Sequence, residues 1–316
     1  MARLLGLGLL AALFFSSTFL FNRFMSLGGG HWFWSAALRY AWMALLLIVI
    51  LLLQRRLDVL RDVARQLRRR PGFWLVAGTV GFGIFYAGVS FAAGFAPSWV
   101  LATTWQLTIL MSPIVLAFFG RRVPVRGFFF TALIFAGIVL VNLEQAQAVS
   151  VQAALLGIIP MLISAIAYPT GLQMVWEYQR RSPPSPALEN SFGRVLLLTL
   201  ASAPFWLLLG FIVQPPPVST SQVLSTLGVA IFSGVIATTL FVAARQLAHT
   251  PYQLAAVDAT QSGEVIFSLA GELLLLNGAL PGNLGLAGIA ITLVGLVLYL
   301  LAQGREATPG AGSAPV

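Results

Sequence analysis

The sequence predicts an all-α membrane protein: ten transmembrane helices in two inverted five-helix repeats, with both termini in the cytoplasm. Three observations predict it. Hydrophobic residues fill 59% of the 316 positions and charged residues 9%, with a mean hydropathy of +0.91, whereas a soluble domain carries roughly a quarter of its residues as charges. Apolar runs of about 20 residues recur from end to end, each long enough to cross roughly 30 Å of hydrocarbon as a helix. All 18 basic residues are arginine, and they favour alternate connections.

The apolar runs place spans near 4–24, 31–53, 73–94, 98–119, 127–143, 151–176, 191–213, 222–244, 251–276 and 284–302. They are continuous, where a barrel would show short alternating segments. The first is too long for the apolar core of a signal peptide, and further spans follow it. Cysteine is absent, so neither disulfides nor thiol chemistry contributes. His31 and His249 are the only histidines, too few for an all-protein zinc site; no metal and no other cofactor is expected.

Arginine placement orients the spans. The second connection holds Arg55, Arg56, Arg61, Arg65, Arg68, Arg69 and Arg70; the fourth holds Arg121, Arg122 and Arg126, the sixth Arg180 and Arg181, and the eighth Arg245. Arg3 and Arg305 mark the ends, and the odd-numbered connections have no Arg or Lys. Positive residues stay on the cytoplasmic side, so an even number of spans lies in the cell inner membrane with both termini inside. The net charge of +9 is explained by this topology without nucleic acid, since no nucleic-acid motif organises the arginines. The run 55–70 is placed to touch anionic lipid.

Residues 96–141 can be laid over 250–298, with Pro97 on Pro251 and Ala102 on Ala256. Each stretch continues through a long helix, a turn with Pro124 or Pro281, and a Gly-rich helix. The domains expected are a first repeat over 1–145, a second over 146–304, and a disordered cytoplasmic tail over 305–316. Five spans is an odd number, so the second copy runs upside down about an axis in the membrane plane. Two such halves can open alternately to either side, the geometry of a secondary transporter. Pro113 in span four and Pro160 and Pro169 in span six free backbone carbonyls, either beside a substrate path or as packing kinks. The small residues of span three, among them Gly78, Gly81, Gly83 and Gly88, indicate close helix packing.

Span nine carries the chemistry. Ionisable residues inside a span are costly and are functional candidates for that reason, and this span has Asp258, Glu264 and Glu272. At about 100° per residue these three, with Gln261 and Ser268, fall on one arc of about 120°, while Ile266, Leu269, Leu273 and Leu276 lie mainly elsewhere. A carboxyl removed from water favours its neutral form, so an acid here can carry a proton or bind a cation. Asp258, Gln261 and Glu264 are the candidates for substrate or proton binding. The first-repeat counterparts of the acids are Thr104, Leu110 and Phe118, which makes any such site asymmetric. Arg39 in span two is the candidate partner of Glu264 or Glu272 in a structural ion pair. Trp105, Gln106, Tyr86 and Tyr168 are candidate lining residues, the aromatics suited to an aromatic or cationic ligand.

On these residues the chain resembles the drug/metabolite transporter superfamily, the ten-helix group of paired EamA-type repeats, over roughly residues 4 to 302. The marks are Arg39 in Ala-Ala-Leu-Arg-Tyr, Pro113, Pro251, and Gly271-Glu272 late in span nine. The stretch 256–264, Ala-Val-Asp-Ala-Thr-Gln-Ser-Gly-Glu, is closest to the multidrug-resistance efflux branch. The resemblance implies export of small metabolites or drugs through a cavity lined by helices 1, 3, 4, 6, 8 and 9, with 5 and 10 peripheral. Asp258 and Glu264 depart from the amino-acid exporters of the superfamily.

The function expected is secondary active export of small compounds, cationic or aromatic in character, coupled to protons through the span-nine carboxylates. The alternative is an uncoupled facilitator or exchanger of the same fold, for example for amino acids. An intramembrane enzyme is disfavoured because no Ser–His or His–Glu arrangement lies in the spans. The partners expected are the substrate, protons, membrane lipid and a second copy in a homodimer, but no nucleic acid.

Overall fold

The computed structural model describes residues 1–120, 128–249 and 251–306. Arg121, Arg122, Arg126, Pro124 and most of the tail, from 307 on, lie outside the described residues. Every regular element among the described residues is helical. The main ones are α1 (Ala2–Leu27), α2 (Trp32–Leu53), α3 (Pro71–Ala92), α4 (Ser98–Phe118), α5 (Phe128–Ala148), α6 (Val151–Arg181), α7 (Ser191–Val213), α8 (Thr220–Arg245), α9 (251–275) and α10 (Asn283–Glu306). Nine helices among the described residues, all of these but α9, are long and apolar enough to cross a membrane. α9 is divided into helices of 9 and 13 residues.

Polarity is arranged for lipid. Leu207, Phe211 and Leu274 are 76%, 78% and 80% exposed, while Thr18, Asn22, Ser90, Thr103, Ser164, Ser233 and Glu264 are buried. Side chains that water would solvate are turned inward, and those that lipid would solvate are turned outward. The result is a multi-pass membrane protein.

Glycine sets the closest crossings. A Cβ on Gly171 of α6 would lie 2.3 Å from the Cα of Gly81 in α3, and one on Gly288 of α10 would lie 2.7 Å from the Gly137 carbonyl oxygen in α5. Such backbone approach lets dispersion and weak polar contacts hold helices together where lipid removes the hydrophobic drive.

Two irregularities recur along the chain. α3 contains a π-helical stretch at Thr79–Ile84 and α8 one at Ala230–Ala237. α4 follows Pro97 and breaks at Gln106; α9 begins at Pro251 and breaks at Thr260–Ser262. Hydroxyls mark both breaks: Thr103 and Thr108 donate back to the Trp99 and Trp105 carbonyls, and Thr260 and Ser262 to those of Val257 and Ala259. Such bonds compete with the helical ladder and tighten it locally. Packing recurs as well: α1 lies against α8 and α9, and α6 against α3 and α4.

The connection between α2 and α3 is itself a helix, Leu57–Arg69. Val59, Asp62, Val63 and Gln66 form its buried face and Arg61, Arg65, Arg68 and Arg69 its exposed one. Asp62 accepts hydrogen bonds from the Ser185 hydroxyl and, at 3.1 Å, from the Ala187 backbone N–H, and Gln66 bonds Ser185 and Tyr178 at 3.0 and 2.9 Å. This helix is thereby docked on the connector between α6 and α7. Beside it, Arg56 donates two 3.0 Å bonds to Asp58 and holds that carboxyl below its ordinary range.

At the opposite face, Glu144 accepts from the Gly282 and Gly285 backbone N–H groups at 2.7 and 2.5 Å, an anion at the start of α10. Trp34 Nε1 donates to the Pro216 carbonyl at 2.7 Å, and Gln222 to that of His31 at 2.8 Å. α10 runs through Arg305 to Glu306.

Candidate functional site

The three acids of α9 meet three different fates. Asp258, near its start, forms an ion pair with Arg245 at the end of α8. Glu272, near its end, accepts from the Ser98 backbone N–H at 2.9 Å and from the Ser98 hydroxyl at 2.5 Å, and Arg23 lies 3.8 Å away. Ser98 opens α4, where unsatisfied N–H groups and the helix dipole favour an anion. Arg23 is fixed in turn by a 3.1 Å bond from Nη1 to the Ala93 carbonyl.

Glu264, between them, is 7% exposed and receives no hydrogen bond or ion pair among the described residues. One turn before it the Gln261 amide nitrogen, and one turn after it the Ser268 hydroxyl, are buried without partners. The lipid-facing side of the same helix shows Ile266, Leu274 and Leu275. The polar arc thus turns inward, as its periodicity predicts, with its middle third unsatisfied.

The ion pair expected between Arg39 and Glu272 does not form. Arg39 lies well inside α2 and Glu272 at the end of α9, beside Arg23 and Ser98, so the nearer partners hold it. Arg39 instead places its guanidinium 3.9 Å from the centre of the Tyr86 ring and donates from Nη2 to Ser233 Oγ at 3.3 Å. Its Nε is buried and has no partner. Ser233 lies in the π stretch of α8 and also accepts from Thr18 Oγ1 at 2.6 Å. Asn22 donates to Tyr86 Oη at 2.8 Å and accepts from Ser90 at 3.0 Å. Tyr86 is therefore taken up by Arg39 and Asn22, which leaves its face closed to a ligand.

Trp105 and Tyr168 are brought together, with Phe85 as a third ring that the sequence did not point to. Phe85 lies 5.0 Å from Trp105 and 4.8 Å from Tyr168, and Trp105 lies 5.5 Å from Tyr168. All three are only partly buried. Gln106 turns away: it is buried, and its amide donates to the Ala102 carbonyl of its own helix at 3.3 Å. Apart from this centre, a groove of about 630 Å³ runs between α2 and α7, lined by Phe33, Tyr40, Thr199 and Trp206 among others.

A lipid-adapted helical bundle with a polar, partly unsatisfied interior is a multi-pass membrane protein, and the family it matches is one of small-molecule transporters. Residues 2–305 match the family described as "EmrE: Putative multidrug resistance efflux transporter", and the chain belongs to that family. It is 38% identical over 315 residues to the protein YjlA of Bacillus subtilis (strain 168), covering 94% of each chain. It is 37% identical over 271 residues to a 42.1 kDa protein of Shouchella clausii, covering 82% of this chain and 69% of that one. A crystal structure of 17% identity matches with a TM-score of 0.63 over 97% of this chain and 99% of the other, a likeness of fold.

Proposed function

We propose that the chain is a secondary transporter that exports small metabolites or drugs by alternating access, with Glu264 taking up the coupling proton or a cationic group of the substrate. In this reading α9 is a tenth span, residues 1–145 and 146–304 are inverted halves, and both termini face the cytoplasm of the cell inner membrane. The paired π stretches, the matched breaks of α4 and α9 and the exchange of packing between α1 and α6 all support it. So does the alternation of arginine, which orients an even number of spans. Gln261, Trp105 and Tyr168 line the path beside Glu264. Asp258 and Glu272, each already held by an arginine, fasten α9 to its neighbours at its two ends.

The observation that carries this reading is Glu264 itself: a carboxyl buried in a membrane helix without a partner. A structural acid would be paired, because leaving it alone costs several kcal/mol. The test is substrate-driven proton movement in proteoliposomes made with the wild type and with Glu264→Gln. Loss of proton movement in the variant is expected. Unchanged coupling would remove Glu264 from the mechanism, and substrate flux without proton movement in the wild type would favour the uncoupled facilitator.

A further inference from the structure

Two opposite charges inside this bundle are left without a partner of opposite sign among the described residues. Arg39 has no acid within salt-bridge distance among the described residues, and Glu264 has no base. Other acids of the membrane region have theirs: Asp258 has Arg245, Glu272 has Arg23. A folding argument alone would bring Arg39 and Glu264 together, since each is expensive to bury by itself. They do not pair. Ser233 and Tyr86 fix the guanidinium, and the ring of Phe85, 5.7 Å from that of Tyr86, joins it to Trp105 and Tyr168. On α1, Thr18, which bonds Ser233, lies about two turns from Ala12, which faces Gly263 beside Glu264. Stacking on Tyr86 offsets part of the cost of the cation yet occupies only the face of the guanidinium. Its Nε is unpartnered and its Nη2 makes one long bond. That edge is the fork that receives a carboxylate.

We infer that the ligand of this site is a zwitterion with its charges at opposite ends of an aromatic or apolar body, its anionic end on Arg39 and its cationic end on Glu264. This deepens the proposed function and rests on Glu264 facing the substrate path. A ligand of this class satisfies both charges at once and lays its body against Phe85, Trp105 and Tyr168. A simple cation would leave Arg39 unpaired, and a simple anion would leave Glu264 so.

The test measures calorimetric binding of three probes to the full-length protein in nanodiscs: 4-(aminomethyl)benzoate, its methyl ester as the cation alone, and its N-acetyl derivative as the anion alone. The zwitterion binds about tenfold tighter than either, the effect of one charge-assisted contact. Arg39→Gln lowers zwitterion affinity to that of the ester and leaves the ester unchanged; Glu264→Gln lowers it to that of the N-acetyl derivative. Should Arg39→Gln not fold, Arg39→Lys, which keeps the charge but not the fork, binds the zwitterion more weakly than the wild type and the ester equally. An ester that binds wild type as well as the zwitterion, or no binding of any probe, overturns the inference. If that ester binding is lost in Glu264→Gln, the reading of Glu264 survives without the zwitterion; if Glu264→Gln alters no bound probe, both fall.

Discussion

The helices that follow Pro97 and Pro251 are built alike and loaded differently. Both break nine residues after the proline, both breaks carry back-bonding hydroxyls, and the two helices pack on each other. At the positions where α9 has Asp258, Glu264 and Glu272, however, α4 has Thr104, Leu110 and Phe118. Shape is shared and charge is not. Backbone irregularity is common to the two helices, while the ionisable residues sit in one of them. Within α9 the contrast repeats on a smaller scale, with paired acids toward the ends and an unpaired one between.

That contrast can be broken experimentally. The largest effect expected is functional: Glu264→Gln abolishes proton coupling in proteoliposomes while the protein stays folded. Next comes stability. Glu272→Ala removes the anion at the start of α4 and leaves Arg23 without its acid, a loss of about 3 kcal/mol seen as a lower denaturation midpoint in detergent. Glu264→Gln, with no partner to lose, leaves the midpoint unchanged or raises it; if it falls as far as that of Glu272→Ala, the difference between paired and unpaired acids is wrong.

The glycine crossing comes after these. Gly171→Ala sets a methyl against the Gly81 backbone at 2.3 Å, where only a shift of the helices relieves the clash, and costs about 2 kcal/mol. Gly72→Ala in α3, with nothing within 4 Å of its Cβ, leaves the same midpoint unmoved or slightly raised. The smallest effect concerns Asp58, whose carboxyl is held low by Arg56. A depressed carboxylate stabilises the fold above its ordinary range and loses that contribution as pH falls through its folded value. Asp58→Asn removes this acid-side dependence, so its melting profile against pH is flatter than that of the wild type below the ordinary carboxylate range.

Much of this was legible in residues alone. Continuous apolar runs announce the helical membrane class, because lipid imposes that pattern on a helix that crosses it, and Pro97 matched to Pro251 marks two helices that break at the same distance from their prolines. The inward arc of α9 followed from its period. The partner of Glu272 did not, because Arg23 stands alone in an apolar run and only the fold brings it to Ser98. The π stretches were also hidden: Thr79–Ile84 and Ala230–Ala237 have nothing in their composition that differs from ordinary membrane helix. The docked helix Leu57–Arg69 is legible too: Val59, Asp62, Val63 and Gln66 recur at helical spacing, among arginines whose density speaks first of topology.

That docked helix carries a mechanical consequence. It belongs to the chain between α2 and α3 yet grips the turn between α6 and α7, so it laces distant parts of the chain together on this face, as Glu144 with Gly282 and Gly285, Trp34 with Pro216 and Gln222 with His31 do on the other. A body pinned at both rims moves only as far as each set of pins gives. Asp62→Ala should therefore widen the excursions that spin labels near Asp62 and Ala187 report and leave those near Glu144 and Gly282 unchanged.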